Sequence, residues 1–150
     1  MSETDDLVDR AALCRVVEQY ARGVDRREPH AVAALFCEDG RLEIYEGDPG
    51  QAEPARVRNG RDEIATALQG LEKYEATTHF LGQQSIELAG DRATGETYCI
   101  AHHIYTAEGT RHDHVLSIRY LDDFRREGAE WLLERRRLAI DWSDERKLTP

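Results

Sequence analysis

The second half of the chain reads as four long strand-like runs separated by very short turns. The runs are "ATTHFLGQQSIELAG", "RATGETYCIAHHIYTAEG", "TRHDHVLSIRYLDDFRREG" and "EWLLERRRLAIDW". The punctuation between them is "GDR", "EGT" and "EGAE". Turns this short join only antiparallel neighbours, because a parallel pair needs a long crossover. The C-terminal half of the fold is therefore expected to be an antiparallel meander.

The first half has a different period. Val16, Val17, Tyr20, Ala21 and Val24 recur at helical spacing and form one apolar stripe. Thr4 is a candidate N-cap, followed by Asp5 and Asp6 in the first turn, and this helix runs to about Gly23–Asp25. Pro29 opens a short second helix in "EPHAVAALF", "RLEIY" is a short strand, Glu46–Asn59 is a loop, and "GRDEIATALQG" is a third helix. Helices followed by a meander give an α+β architecture. A strongly curved sheet wrapped around the first helix would leave a pocket between them. The 150 residues are the length of one ordinary domain, and no linker or repeat interrupts them, so residues 1–150 are read as a single domain.

Charge narrows the partners. Thirty acidic residues oppose 20 basic ones, a formal net charge of −10. Such a surface repels phosphate backbones and anionic lipid, so nucleic acid and membrane are not expected partners. There is no run of about 18 apolar residues and no basic, apolar secretory start. Cys14, Cys37 and Cys99 are an odd set without a CxxC pair and read as free thiols, so the expected location is the cytoplasm.

Asp25 is the odd residue of the first helix. It follows the apolar stripe directly, and a carboxylate leaning toward a core needs a partner. His79, in "ATTHFLG", is a candidate. Each has an ordinary alternative: a helix-end carboxylate, and a histidine with a local hydrogen bond. Together they allow an orienter and base, Asp25 fixing one ring nitrogen of His79 and leaving the other free to take a proton. His102 and His103 in "CIAHHIY" project to opposite faces of their strand, so one of them can face the pocket. His112 and His114 share a face, but no ligand at convincing spacing completes a metal site, and none is expected. Arg136 stands in a row with Leu132, Leu138 and Ile140. It is either a snorkelling edge residue or a buried cation with an anionic partner or ligand. No GxSxG, P-loop or GxGxxG motif is present.

The stretches "YARGVDRREPHAVAALFCEDGRLEIY", "GRDEIATAL", "TTHFLG" and "RYLDDFRREGAEWLLERRRLAIDW" resemble the SnoaL-like proteins of the nuclear-transport-factor-2-like superfamily, close to scytalone dehydratase. The resemblance runs from about Leu7 to Trp142. It implies a cone, a curved antiparallel sheet packed on three N-terminal helices in the cystatin-like roll. The family includes dehydratases, polyketide cyclases, ketosteroid isomerases, a dehydrochlorinase and proteins without known activity. In its elimination enzymes an aspartate ends the first helix and a histidine lies on the first long strand, which Asp25 and His79 match. The bile-acid dehydratase branch also has a tyrosine five residues before that aspartate and an arginine five residues after a tryptophan of the last strand. Tyr20 and Arg136 match these. The position of His102 is acidic in that branch and close to a histidine in scytalone dehydratase, which makes His102 a second acid or base. The dehydrochlorinase has lysine where Tyr20 stands.

The resemblance thus implies a cofactor-independent lyase of dehydratase type, acting on a small, mostly apolar molecule. Tyr20 and Arg136 would stabilise an oxyanion. The alternatives are an isomerase or cyclase with the same site, or a non-catalytic binding or assembly protein. A homo-oligomer, dimer or trimer, is expected through the outer face of the sheet, because both faces of "ETYCIAHHIY" carry large apolar or aromatic groups.

Overall fold

The computed structural model describes residues 2–149. Helix α1 (Glu3–Asp25) is followed by α2 (Pro29–Ala33), strands β1 (Phe36–Glu46) and β2 (Arg56–Asn59), and α3 (Gly60–Gln69). A short 3-10 turn (Gly70–Lys73) then leads to β3 (Ala76–Ala89), β4 (Arg92–Ala107), β5 (Thr110–Glu127) and β6 (Glu130–Lys147). Three helices thus pack on one curved six-stranded sheet, as expected, and the sheet does not close into a barrel.

Strand order is β2-β1-β6-β5-β4-β3. The β3–β6 meander is antiparallel throughout. The whole sheet is mixed, because β1 adds to β6 in parallel. The β4–β5 turn explains how the meander is pinned. Its two central residues, Glu108 and Gly109, have φ of 51° and 76°. Two successive left-handed residues match the twist of the strands they join, and glycine adopts that conformation without steric cost.

Two local features differ from expectation. The cap of α1 is Ser2, not Thr4: the Ser2 hydroxyl accepts from the Asp5 N–H while the Asp5 carboxylate accepts from the Ser2 N–H. The reciprocal box satisfies two otherwise open donors, which Thr4 inside the first turn cannot do. The expected loop over 46–59 also gives up its end to β2, which pairs with β1 from Arg41↔Asn59 to Ile44↔Arg56.

The core lies between α1 and the concave face of the sheet. Leu13, Val17, Phe36, Ile64, Ile118, Tyr120, Phe124 and Leu133 are at most 2% exposed. The helix is fastened at both ends. Near its start Asp9 accepts from Trp131 Nε1 at 3.0 Å and pairs with Arg126, whose guanidinium stacks on the Trp131 ring. Near its end Asp25 bonds to β3. These two anchors fix how the helix crosses the sheet, and so where a cavity can open.

Candidate active site

Asp25 is the last residue of α1, and three donors converge on it from β3. The Thr77 hydroxyl donates to Oδ1 at 2.9 Å and the His79 backbone N–H donates to Oδ2 at 2.9 Å. His79 Nδ1 lies 2.7 Å from Oδ1. Burial alone would raise the Asp25 carboxyl, but the His79 ring and backbone, with Thr77, outweigh it and hold Asp25 below the usual carboxylate range. An ionised carboxylate only accepts. The proton between the two groups therefore belongs to Nδ1, and Nε2 is the ring nitrogen left without a protein partner, the one that accepts a proton whenever the ring is neutral.

A second layer supports Asp25. Arg27 sits in the left-handed region at φ 59°. Its guanidinium donates to Thr77 Oγ1 at 2.9 Å and to the carbonyls of Val24 and Tyr74. The turn after α1 is thereby tied to the start of β3. Thr77 and Arg27 were not singled out from the sequence; their one signal there is the position of Thr77 two residues before His79, on the same strand face.

His79 opens onto a cavity of about 820 Å³. Its walls are largely apolar, with Val24, Leu42, Leu68, Leu116, Ile118, Leu138 and Ile140, and its aromatic floor includes Tyr20 and Tyr120. That volume is ample for a drug-sized molecule.

The second histidine of the site is His103, not His102. His103 lines the cavity, with its ring centroid 5.7 Å from that of His79 in edge-to-face contact. His102 projects to the opposite face, where Nδ1 lies 2.8 Å from Asp113 Oδ2. Strand alternation allows only one of two adjacent residues inside, so a role for His102 at the cavity is corrected to His103. His103 Nδ1 donates to the His114 carbonyl at 3.1 Å. Burial, reinforced by the nearby His79 and His114, pushes His103 down to about 4, against the pull of that hydrogen bond and of Asp113. At neutral pH it is an uncharged imidazole whose Nε2 accepts a hydrogen bond.

Arg136 also departs from expectation. It is fully buried and bonds Asp122 through two parallel contacts, Nε–Oδ1 at 2.8 Å and Nη2–Oδ2 at 2.7 Å. Its guanidinium lies between the rings of Tyr20 and Tyr120, 4.1 and 3.9 Å from their centroids. It does not line the cavity. Its open alternatives resolve to a buried cation with an anionic partner, and its expected contact with a substrate oxyanion is corrected: Asp122 takes Nε and Nη2, and Nη1, without a partner among the described residues, is buried away from the cavity lining. Tyr20 lies at the cavity floor, stacked on that guanidinium. Tyr120, which the sequence reading passed over, is fully buried, and its hydroxyl has no hydrogen-bond partner among the described residues. Its signal was the alternation Leu116, Ile118, Tyr120, three cavity residues at period two.

Cys99 and Cys37 are pushed up to about 11 by burial, so neither supplies a thiolate. Among the described residues no group of three or more His, Cys, Asp and Glu side chains is arranged to hold a metal ion. His112 stacks on Tyr105, whereas His114 turns to the cavity wall. No described helix is long and apolar enough to cross a membrane.

Comparison with known proteins agrees with this architecture. A scytalone dehydratase-like protein from Novosphingobium aromaticivorans is 27% identical, with a TM-score of 0.81 over 97% of this chain and 93% of that one. An NTF2-like protein with a cystatin-like fold from the same organism is 26% identical, with a TM-score of 0.69 over 91% and 84% of the two chains. The hexachlorocyclohexane dehydrochlorinase LinA-type3 of Novosphingobium barchaimii shares the fold at 14% identity, with a TM-score of 0.80 over 99% and 95%. No curated protein matches significantly. The model of the SnoaL-like domain matches residues 5–137. The chain belongs to the SnoaL-like domain family.

Proposed function

We propose that this protein is a cofactor-independent lyase that eliminates water from a small, mostly apolar hydroxy-carbonyl compound. The observation that carries the reading is the Asp25–His79 pair, with its free Nε2 at the wall of an apolar cavity. The likeness to a scytalone dehydratase-like protein favours elimination over other uses of the same base.

In this reading His79 Nε2 takes the proton beside the substrate carbonyl. Asp25 stabilises the imidazolium that forms, which costs far less in a preorganised site than in one that must reorient. The phenols of Tyr20 and Tyr120 donate to the developing enolate oxygen. The β-hydroxyl then leaves as the imidazolium returns its proton, so the elements of water depart and His79 ends neutral. His103, uncharged, accepts a hydrogen bond from a substrate hydroxyl and orients it. A positioned base contributes roughly 10²–10⁴-fold, a scale suited to an activated β-hydroxyl.

The assembly is a homo-oligomer, dimer or trimer, joined through the outer face of the sheet, where Phe80 and Tyr98 are exposed and Phe80 pairs across from Ile100. The free thiols of Cys14, Cys37 and Cys99 fit a reducing compartment, the cytoplasm.

The test is turnover of a panel of apolar β-hydroxy ketones and esters, followed by the mass of the product. Wild-type protein is expected to release water from at least one member. His79→Ala is expected to lose at least about 10²-fold in kcat with ligand affinity retained. An equally active His79→Ala protein defeats the proposal.

A further inference from the structure

The cavity differs in charge between its walls and its mouth. Along the meander, arginine charge is neutralised: each arginine of β4, β5 and β6 stands in an ion pair with Asp or Glu. Three cations at the mouth break this rule. Arg56 and Arg58 of β2 and Lys73 of the 3-10 turn all line the cavity. None has a carboxylate partner among the described residues. Arg58 donates only to the neighbouring Val57 carbonyl, and the Lys73 ammonium lies 5.1 Å from the ring centroid of Tyr74.

Other cations also lack a carboxylate partner, Arg10, Arg27 and Arg61 among them, but those bond to carbonyl or hydroxyl oxygens elsewhere, whereas these three gather at one opening. Arg56 and Arg58 are two apart on a strand and project from the same face. Two carboxylates share the rim. Asp141 is held by both Nε and Nη2 of Arg119, and Glu46 is exposed at the end of β1. The mouth therefore keeps a positive excess, on a molecule whose overall field is negative.

We propose that the cavity takes a substrate bearing a carboxylate tail, held at the mouth by Arg56, Arg58 and Lys73 while the apolar body extends inward to His79. Guanidinium groups match a carboxylate with paired N–H donors, so the contact fixes orientation as well as charge. A local positive mouth also draws an anion past the surrounding negative surface. Which end of the molecule enters first rests on the lyase reading. The anion site itself does not.

The experiment compares two probes, 4-(2-naphthyl)butanoate and its primary amide, titrated calorimetrically into the wild-type protein. The two are nearly the same in shape and differ at the tail, where the amide carries no charge and offers one acceptor oxygen in place of two. The acid is expected to bind at least about tenfold tighter than the amide, with the preference shrinking in high salt. In the Arg56→Gln/Arg58→Gln/Lys73→Gln variant the preference should vanish while amide affinity stays unchanged. Equal affinities in the wild type, a preference that survives in the triple variant, or binding of neither probe overturns the proposal. His79→Ala separates this inference from the lyase reading. It should keep the acid preference, so a lost preference with His79-dependent turnover defeats only the anion site. A retained preference with turnover indifferent to His79 defeats only the dyad.

Discussion

His79 and His103 meet edge to face in the cavity wall, 5.7 Å between ring centroids, each with Nδ1 engaged by an acceptor behind it. The two acceptors differ, and so does the chemistry. Behind His79 is an anionic carboxylate, which stabilises a positive ring. Behind His103 is a neutral carbonyl, which fixes the tautomer but does little for charge. One histidine is thereby suited to taking a proton and the other to remaining uncharged.

A measurable consequence lies in stability against pH. The folded protein keeps His103 neutral down to about 4, whereas a free imidazole protonates near 6.5. Between those values the unfolded chain binds more protons, so the contribution of His103 is complete above 6.5 and is lost as pH falls toward 4. The loss is on the order of 3 kcal/mol. Denaturant titrations of His103→Gln across this window should show a shallower fall than the wild type. His102→Gln, on the outer face, should leave turnover unchanged. An identical slope for His103→Gln and wild type would mean that His103 is not held neutral.

Arg136 and Asp122 test the corrected assignment. Arg136→Met leaves a buried carboxylate unpaired and should cost about 3–5 kcal/mol. That corresponds to a fall in Tm of roughly 10 °C for a chain of this size. The double variant Arg136→Met/Asp122→Leu should recover most of the loss, because it removes both desolvated charges. Thermal melts of the three proteins decide this. A stable Arg136→Met protein with turnover reduced by about 10²–10³-fold would instead return Arg136 to the substrate.

The phenols separate in a similar way. The Tyr120 hydroxyl is buried without a partner, so Tyr120→Phe removes an unsatisfied donor and should leave stability unchanged or slightly raised. If that hydroxyl serves the substrate oxygen, turnover should nonetheless fall by about 10²-fold. Tyr20→Phe should lower kcat on the same scale. Parallel melts and kinetics check both, and a fully active Tyr120→Phe protein leaves Tyr20 as the donor.

Sedimentation velocity at micromolar concentration should give a dimer or trimer of the 17.1 kDa chain. Replacing Phe80 and Tyr98 with Lys should shift it toward monomer, because both side chains are exposed on the outer face. A wild-type protein that sediments as a monomer excludes the assembly.

The sequence determined the elements and one half of the site. Helical spacing from Val16 to Val24 and turn chemistry at Glu108–Gly109 are local properties, so α1 and the meander were legible without coordinates. So was the pairing of His103 with His114, because counting back from that two-residue turn sets them opposite each other. Asp25 and His79 were legible as candidates because each breaks a local pattern. Their partnership is tertiary, since it needs α1 to cross β3 at one place, and Asp9, Trp131 and Arg126 at the far end help to set it. Which of His102 and His103 faces inward was undecidable from alternation alone, because alternation gives two faces and only the packed helix says which is inside. The partner of Arg136 was hidden by a bulge. Counting from the β5–β6 turn pairs Asp122 with Arg135, but an extra residue at Glu134 moves the register by one and brings Asp122 opposite Arg136. The parallel addition of β1 to β6 is likewise non-local, and nothing in either strand's own sequence announces it. Local propensity fixes what each segment becomes, while register, handedness and burial, which depend on residues far apart in the chain, decide which side chains meet in the cavity.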